Sequence, residues 1–289
     1  MKVIVTGATG FTGSYAVPLL LEQGYHVRCL VRPDSNMSRL QHHQVELVQG
    51  DLSDHESLVR AFLGMDALVN IASLGFGHAP TIVKAAETAG LKRAIFISTT
   101  AIFTGLNAPS KVMRTAAEET IRQSTLPYTI LRPTMIYGSS RDRNMCRLIR
   151  YLHRRRLIPI FGNGQYLQQP VYVGDVATAI VQALATEQAT RQAYNVSGAS
   201  VMTYDQVIDT VCKLLRRNVR KVHLPVSPIV AGLNLIERLP LRVPLKAEQI
   251  LRLNEHKTFS FDDAARDFGY KPRSFTDGVR LELQEMGLV

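Results

Sequence analysis

The sequence predicts an α/β fold built on a doubly wound parallel sheet, and three observations predict it. Short β-rich runs alternate with stretches of helical apolar spacing from the first residues to beyond residue 130. The first such run ends in a glycine turn that leads straight into a helix. The ends of successive runs carry small, polar or basic residues, which such a sheet gathers on one edge, where open parallel sheets bind their ligands.

Lys2–Thr6 reads as a buried first strand and runs into Gly7-Ala8-Thr9-Gly10-Phe11-Thr12-Gly13. Glycines let the backbone turn sharply and come close to a ligand. The following helix, which contains Pro18 and stops at Gly24, points free N–H groups and its positive dipole end at that ligand, favouring a pyrophosphate. The spacing is G-x-x-G-x-x-G rather than G-x-G-x-x-G. His26–Arg32 reads as the second strand. It ends in Arg32, with Arg39 a little beyond, where an acidic residue would bind the ribose of NAD. A guanidinium there pairs with a 2′-phosphate, so NADP(H) is favoured over NAD(H). Val45–Gln49 is a third strand, followed by Asp51, a candidate adenine contact, and Asp54, a candidate helix cap. Ala67–Ala72 is the fourth, and its small end, Ala72-Ser73, lets a ribose approach. Ala79–Ala89 reads as a helix, Arg93–Ser98 as the fifth strand, Ser110–Gln123 as a long helix and Tyr128–Pro133 as the sixth strand.

The 289 residues include 46% hydrophobic and 20% charged, which suits one large folded unit with a small appendage and excludes global disorder. The net charge of +10 favours anionic ligands or surfaces without choosing among them. Cys29, Cys146 and Cys212 offer neither metal spacing nor a disulfide framework, so no metal is expected and a reducing compartment fits. With a strand at the start and no apolar run of membrane-spanning length, a cytoplasmic protein is expected.

The chain resembles the extended short-chain dehydrogenase/reductase superfamily, the NAD-dependent epimerase/dehydratase group, and its atypical members. The resemblance rests on Val3–Gly13, Gly50-Asp51-Leu52, Leu131–Gly138, Pro170–Ala177, Ala193–Gly198 and Asp267–Arg273, and so spans nearly the whole chain. It implies a Rossmann core over about 1–138, with a mixed core extension and small discontinuous C-terminal substrate cap over about 139–289. It also implies cofactor contacts at Gly7, Thr9, Gly10, Phe11, Thr12, Gly13, Arg32, Arg39, Asp51, Leu52, Ala72, Ser73, Lys111, Pro133 and Ile136.

Active relatives carry a Ser or Thr with a Y-x-x-x-K pair. Four residues on a helix put phenol and ammonium on one face. The ammonium lowers the phenol's pKa, fitting it for acid–base work on a carbinol or carbonyl. Thr100 and Lys111 match two of the three, but Asn107 stands where the tyrosine is expected, and Asn has no useful pKa. Three readings remain open. The protein binds NADP(H) without redox chemistry, as a sensor, regulatory or assembly protein. Another phenol serves, Tyr137 first and Tyr166 or Tyr172 more remotely. Or Asn107 orients a water that relays the proton.

Arg141–Arg156 is a dense basic stretch interleaved with apolar residues, read as an amphipathic helix near the substrate. Arg143 is a candidate contact for an anionic small-molecule substrate, nucleotide-linked or a phosphorylated isoprenoid, and Gln169 a second contact. No nucleic-acid motif accompanies the charge. Asp175 is expected to cap a helix over Val176–Ala185, and 203–215 reads as another helix. Pro225–Pro244, apolar and carrying Arg238 and Arg242, reads as core, lid, dimer contact or peripheral membrane contact. A homodimer is a family expectation.

Overall fold

The computed structural model describes residues 1–106, 108–237 and 247–289. The first half alternates as the sequence predicts: β1 (Lys2–Thr6), α1 (Gly13–Glu22), β2 (His26–Val31), β3 (Glu46–Gln49), α2 (His55–Phe62), β4 (Ala67–Asn70), α3 (Ala79–Thr88), β5 (Arg93–Ile97), α4 (Pro109–Gln123) and β6 (Tyr128–Pro133). There follow β7 (Ile136–Tyr137), α5 (Met145–Arg154), β8 (Leu157–Phe161), β9 (Leu167–Gln168), β10 (Val171–Tyr172), α6 (Val173–Ala185), β11 (Gln192–Val196), β12 (Met202–Thr203), α7 (Tyr204–Leu214) and β13 (Arg220–Leu224). The chain ends in α8 (Val226–Glu237), α9 (Ala247–Leu253), α10 (Asp262–Phe268) and α11 (Phe275–Glu285). Arg238 and Arg242 lie outside the described residues.

Seven strands form one parallel sheet in the order β3-β2-β1-β4-β5-β6-β11. The order reverses between β1 and β4, so their carboxyl ends splay apart into the crevice where this architecture takes ligands. Val3, Val5 and Cys29 face a core layer shared with α1 and α6, while Ile4, Leu68 and Phe96 face a second layer under α2, α3 and α4. This period-2 alternation of wholly buried residues is what a sheet covered on both faces requires. A third apolar cluster, including Met145, Ile149, Ile158, Val207 and Ile208, lies outside the sheet between α5, β8 and α7. β8 and β13 pair in parallel there, which links residues 157–161 to 220–224.

Asp54 caps α2 as expected, accepting from the Glu56 and Ser57 amides. Thr203 and Gln206 form a reciprocal capping box on α7. Asp175 is a correction. The helix begins at Val173, so Asp175 sits in its first turn, and its carboxylate instead holds the Arg273 guanidinium at 2.7 Å and the Arg273 amide at 2.9 Å. Among the described residues no helix is long and apolar enough to cross a membrane.

Candidate dinucleotide and ligand site

The glycine turn closes on itself through a 3.0 Å hydrogen bond from the Gly10 amide to the Gly7 carbonyl. Gly7 has φ +71°, and a Cβ there would lie 2.7 Å from the Ala72 nitrogen at the end of β4. A Cβ on Gly13 would lie 2.3 Å from the Gly7 oxygen. No larger residue fits at these two positions, so the turn is as thin as a backbone allows. The amides of Phe11, Thr12 and Gly13 take no acceptor among the described residues, and they open α1. Such amides at a helix N-terminus form an anion seat. Cradle and free donors together fit a dinucleotide pyrophosphate.

Around this seat, Arg32 follows β2 with its side chain largely exposed, 3.7 Å from the Asp34 carboxylate. Asp51 accepts from the amide and hydroxyl of Ser53, which hold its carboxyl below the usual range, and the Arg32 charge helps. Arg39 reaches Glu285 of α11 at 3.5 Å. Leu52 packs against the layer under α2, Ala72 lies beside Gly7, and the Ser73 hydroxyl caps the short turn Leu74–Phe76. Sequence reasoning missed two features here. The Thr6 hydroxyl donates to the Asn70 side chain at 2.7 Å, and Asn70 in turn donates to the Ala72 carbonyl, pinning β1 to β4 beneath the turn. Arg141 crosses from the segment before α5 to donate to the Thr9 carbonyl at 2.8 Å and the Ser14 hydroxyl at 3.3 Å.

A cavity of about 840 Å³ opens beside the carboxyl ends of β5 and β6, at Thr99, Thr100 and Thr134. α5, β8, the start of α7 and residues 249–259 enclose it. A smaller cavity of about 570 Å³ lies at the opposite, amino-terminal ends of β1 and β2, away from the glycine turn. Thr100 is buried, and its hydroxyl donates to the Pro133 carbonyl at 3.4 Å. Lys111 stands in the first turn of α4 and donates from Nζ to the Thr104 carbonyl at 2.6 Å. Asn107 lies outside the described residues. Ile136 is partly buried in β7, packed against the α1/α6 layer.

Tyr137 does not face the crevice. It is 1% exposed, packed on Phe275 and Tyr172, and its hydroxyl donates to the Phe275 carbonyl at 3.3 Å. Burial pushes its pKa far up, with Asp175 adding to the rise. Tyr172 lies under the Arg273 guanidinium, 4.4 Å away, and Tyr166 against His256. Gln169 is also redirected: buried, it donates to the Gly198 carbonyl and accepts from the Phe259 amide, both at 2.8 Å. Its neighbour Gln168 lines the cavity instead, as does Arg143.

The loop after β5 is held by residues far away in sequence. The Glu255 carboxylate accepts from the Thr104 hydroxyl at 2.9 and 2.7 Å and from the Gly105 amide at 3.0 Å. Behind the loop, Glu118 of α4 and Arg132 of β6 form a bidentate buried pair, with Arg132 also stacked over Phe103 at 5.1 Å. Burial alone would raise the Glu118 pKa, but the hydrogen bonds from Arg132 hold it below the usual carboxylate range. Glu118 lies seven residues beyond Lys111 on the same helix face, a spacing that marks it in the sequence once α4 is known. Lys257 lines the cavity and donates to the Arg252 carbonyl; burial lowers its pKa, opposed by Glu255. No cluster of metal-ligating side chains occurs among the described residues.

A crevice at the reversal point of a parallel sheet, lined by a turn with no room for a Cβ at Gly7 or Gly13, defines a dinucleotide-binding fold of the Rossmann type. A family model described as NAD(P)H-binding matches residues 7–187, and the chain belongs to that family. The mitochondrial NADH dehydrogenase (ubiquinone) 1 alpha subcomplex subunit 9 of Arabidopsis thaliana is 26% identical over 296 residues, 92% of this chain and 71% of that protein. The photosystem II assembly factor Ycf39 of Guillardia theta is 24% identical over 299 residues, 96% of this chain and 91% of that protein. The structure of UDP-glucuronic acid 4-epimerase from Bacillus cereus in complex with NAD matches the fold with a TM-score of 0.78 at 20% identity, covering 99% of each chain.

Proposed function

We propose that the chain binds NADP(H) in this crevice and acts as a redox-silent, dinucleotide-dependent regulatory or assembly protein. One observation carries the reading: the partner expected for Lys111 is missing. Asn107 stands four residues before it, Tyr137 is locked in the core, and the Lys111 ammonium is engaged with the Thr104 carbonyl. Without a phenol beside the ammonium, the usual proton relay has no acid. Two relatives named as a respiratory-complex subunit and a photosystem assembly factor support this reading. NADP(H) is preferred to NAD(H) because Arg32 stands at the end of β2, where a 2′-phosphate comes, with an exposed guanidinium whose loose, solvent-exposed contact with Asp34 a phosphate can displace. Exposed Phe76, Val112 and Met113, around the start of α4, suit the expected homodimer contact.

A specific observation favours a second reading, hydride transfer by a reductase, epimerase or dehydratase. Thr100 is retained, and the cavity opens directly on it. In this reading Lys257, with its lowered pKa, is the candidate acid, and Thr100 holds the reacting oxygen. Bound NADP(H) would supply the hydride.

The test pairs fluorescence titrations of NADPH and NADH with turnover. Nicotinamide absorbance is followed with carbonyl and nucleotide-sugar panels, and products are assayed separately because an epimerase recycles its cofactor. Tight NADPH binding without turnover or product is expected. Turnover or product would transfer the assignment to the enzyme, and failure to bind either nucleotide would remove both readings.

A further inference from the structure

The 840 Å³ cavity falls in the range of roughly 300–1,000 Å³ usual for small-molecule sites. Its chemistry divides along its depth. The floor is formed by Met145, Ile158 and Val207, which are 1%, 5% and 2% exposed. The mouth carries cations. Arg252 is matched by Glu248 at 2.7 Å, and Glu255, the one lining carboxylate among the described residues, is occupied by Thr104 and Gly105. Arg143 and Arg147, both exposed, have no hydrogen bond or ion pair among the described residues. Arg147 and Tyr151, four residues apart on α5, share a face, and Leu148 lines the cavity beside them, so positive charge and apolar surface adjoin along one helix.

We propose that this cavity takes an amphipathic anion: a hydrocarbon chain lying against the apolar floor, ended by a phosphate or carboxylate held at the mouth by Arg143 and Arg147. The inference rests on the reading above only in treating this cavity as the ligand site beside the dinucleotide. Guanidinium groups bind phosphate and carboxylate through paired, charge-assisted hydrogen bonds. The floor offers a chain the apolar contact it lacks in water. A nucleotide-sugar would find polar partners at Thr99, Thr100, Thr134 and Gln168, but this floor would leave any hydroxyl laid on it without one.

The test is calorimetric titration of the full chain with decyl phosphate below its critical micelle concentration, with and without saturating NADPH. Decanol, inorganic phosphate and UDP-glucose are titrated alongside. Decyl phosphate is expected to bind at least tenfold more tightly than each of the other three. The double variant Arg143→Gln/Arg147→Gln should lose at least tenfold of that affinity with NADPH binding and melting temperature unchanged. Val207→Phe, which fills the floor, should weaken decyl phosphate and leave inorganic phosphate as it was. Tighter binding of UDP-glucose, or a double variant that binds decyl phosphate as well as the parent, overturns the proposal. NADPH binding without decyl phosphate binding removes this inference and spares the cofactor reading; decyl phosphate binding without NADPH does the reverse.

Discussion

Two loops at the same edge of the sheet are held in opposite ways. The turn after β1 is secured by its own backbone, with a hydrogen bond from Gly10 to Gly7 and no room for a Cβ at Gly7 or Gly13. The loop after β5 is secured by side chains from elsewhere: Glu255, about 150 residues later, Lys111 from the next helix, and Phe103 lying on Arg132. A shape set by backbone alone leaves no side chain to exchange at Gly7 or Gly13. A function performed by a borrowed scaffold is open to rewiring. In the sequence, Asn107 stands four residues before Lys111, at the position where the resemblance leads one to expect a tyrosine.

This contrast can be broken from either side. Gly13→Val drives a side chain into the Gly7 carbonyl, so NADPH binding should be lost entirely in a fluorescence titration. A variant that binds as well as the parent would show the turn to be less constrained than its geometry. Glu255→Ala removes a carboxylate acceptor that is only partly buried. We expect a loss of about 1–2 kcal/mol in denaturant titration, with faster amide exchange at 104–106 and unchanged exchange at 7–13. Equal acceleration in both loops would abolish the distinction drawn here.

The other outcomes are smaller. Arg32→Ala should weaken NADPH about tenfold, equivalent to about 1.4 kcal/mol, and leave NADH unaltered; equal losses would remove Arg32 from phosphate reading. Tyr137→Phe should cost about 1 kcal/mol or less in stability and leave NADPH affinity and any turnover unchanged, because among the described residues its hydroxyl donates to the Phe275 carbonyl alone. A drop in turnover would return Tyr137 to the chemistry.

Glu282 gives the least effect near pH 5. It is fully buried in α11, close to the Asp142 carboxyl and the Gly138 backbone. Burial, with Asp142 adding to it, pushes its pKa up to about 10. The unfolded chain releases this proton at ordinary carboxylate pH, whereas the folded chain retains it. Stability therefore falls as pH rises from about 4.5 towards 10. Glu282→Gln should melt like the parent at pH 5 and higher than the parent at pH 8; parallel melting curves at the two pH values would refute the assignment.

The sheet was legible because it is written in local patterns. Period-2 burial, helical spacing and Asp54 as a cap are each visible within a few residues. The glycine turn was legible because glycine itself is the signal. The cap was not. Gln169 and Tyr137 have the right chemistry for a site, but the packing of Phe259 and Phe275, about 90 and 138 residues away, turns both inward. Asp175 misleads in the same way, since its partner Arg273 arrives 98 residues later. Arg143 could be singled out because a basic stretch is visible locally. That Glu255 would be occupied and Glu248 would match Arg252, leaving Arg143 and Arg147 free, depends on α9 folding back over the cavity.

The Glu255 clasp also bears on whether the molecule can be divided. Residues 1–196 contain every strand of the large sheet, so a cut after β11 would look like a clean excision of a dinucleotide-binding module. Such a fragment would keep its glycine turn but lose Glu255 beside Thr104, Arg273 beside Asp175 and the Phe259 amide that fixes Gln169. The edge of the sheet is thus stitched shut by the last third of the chain. A displacement of those final residues would therefore be felt directly at Thr104 and Gly105.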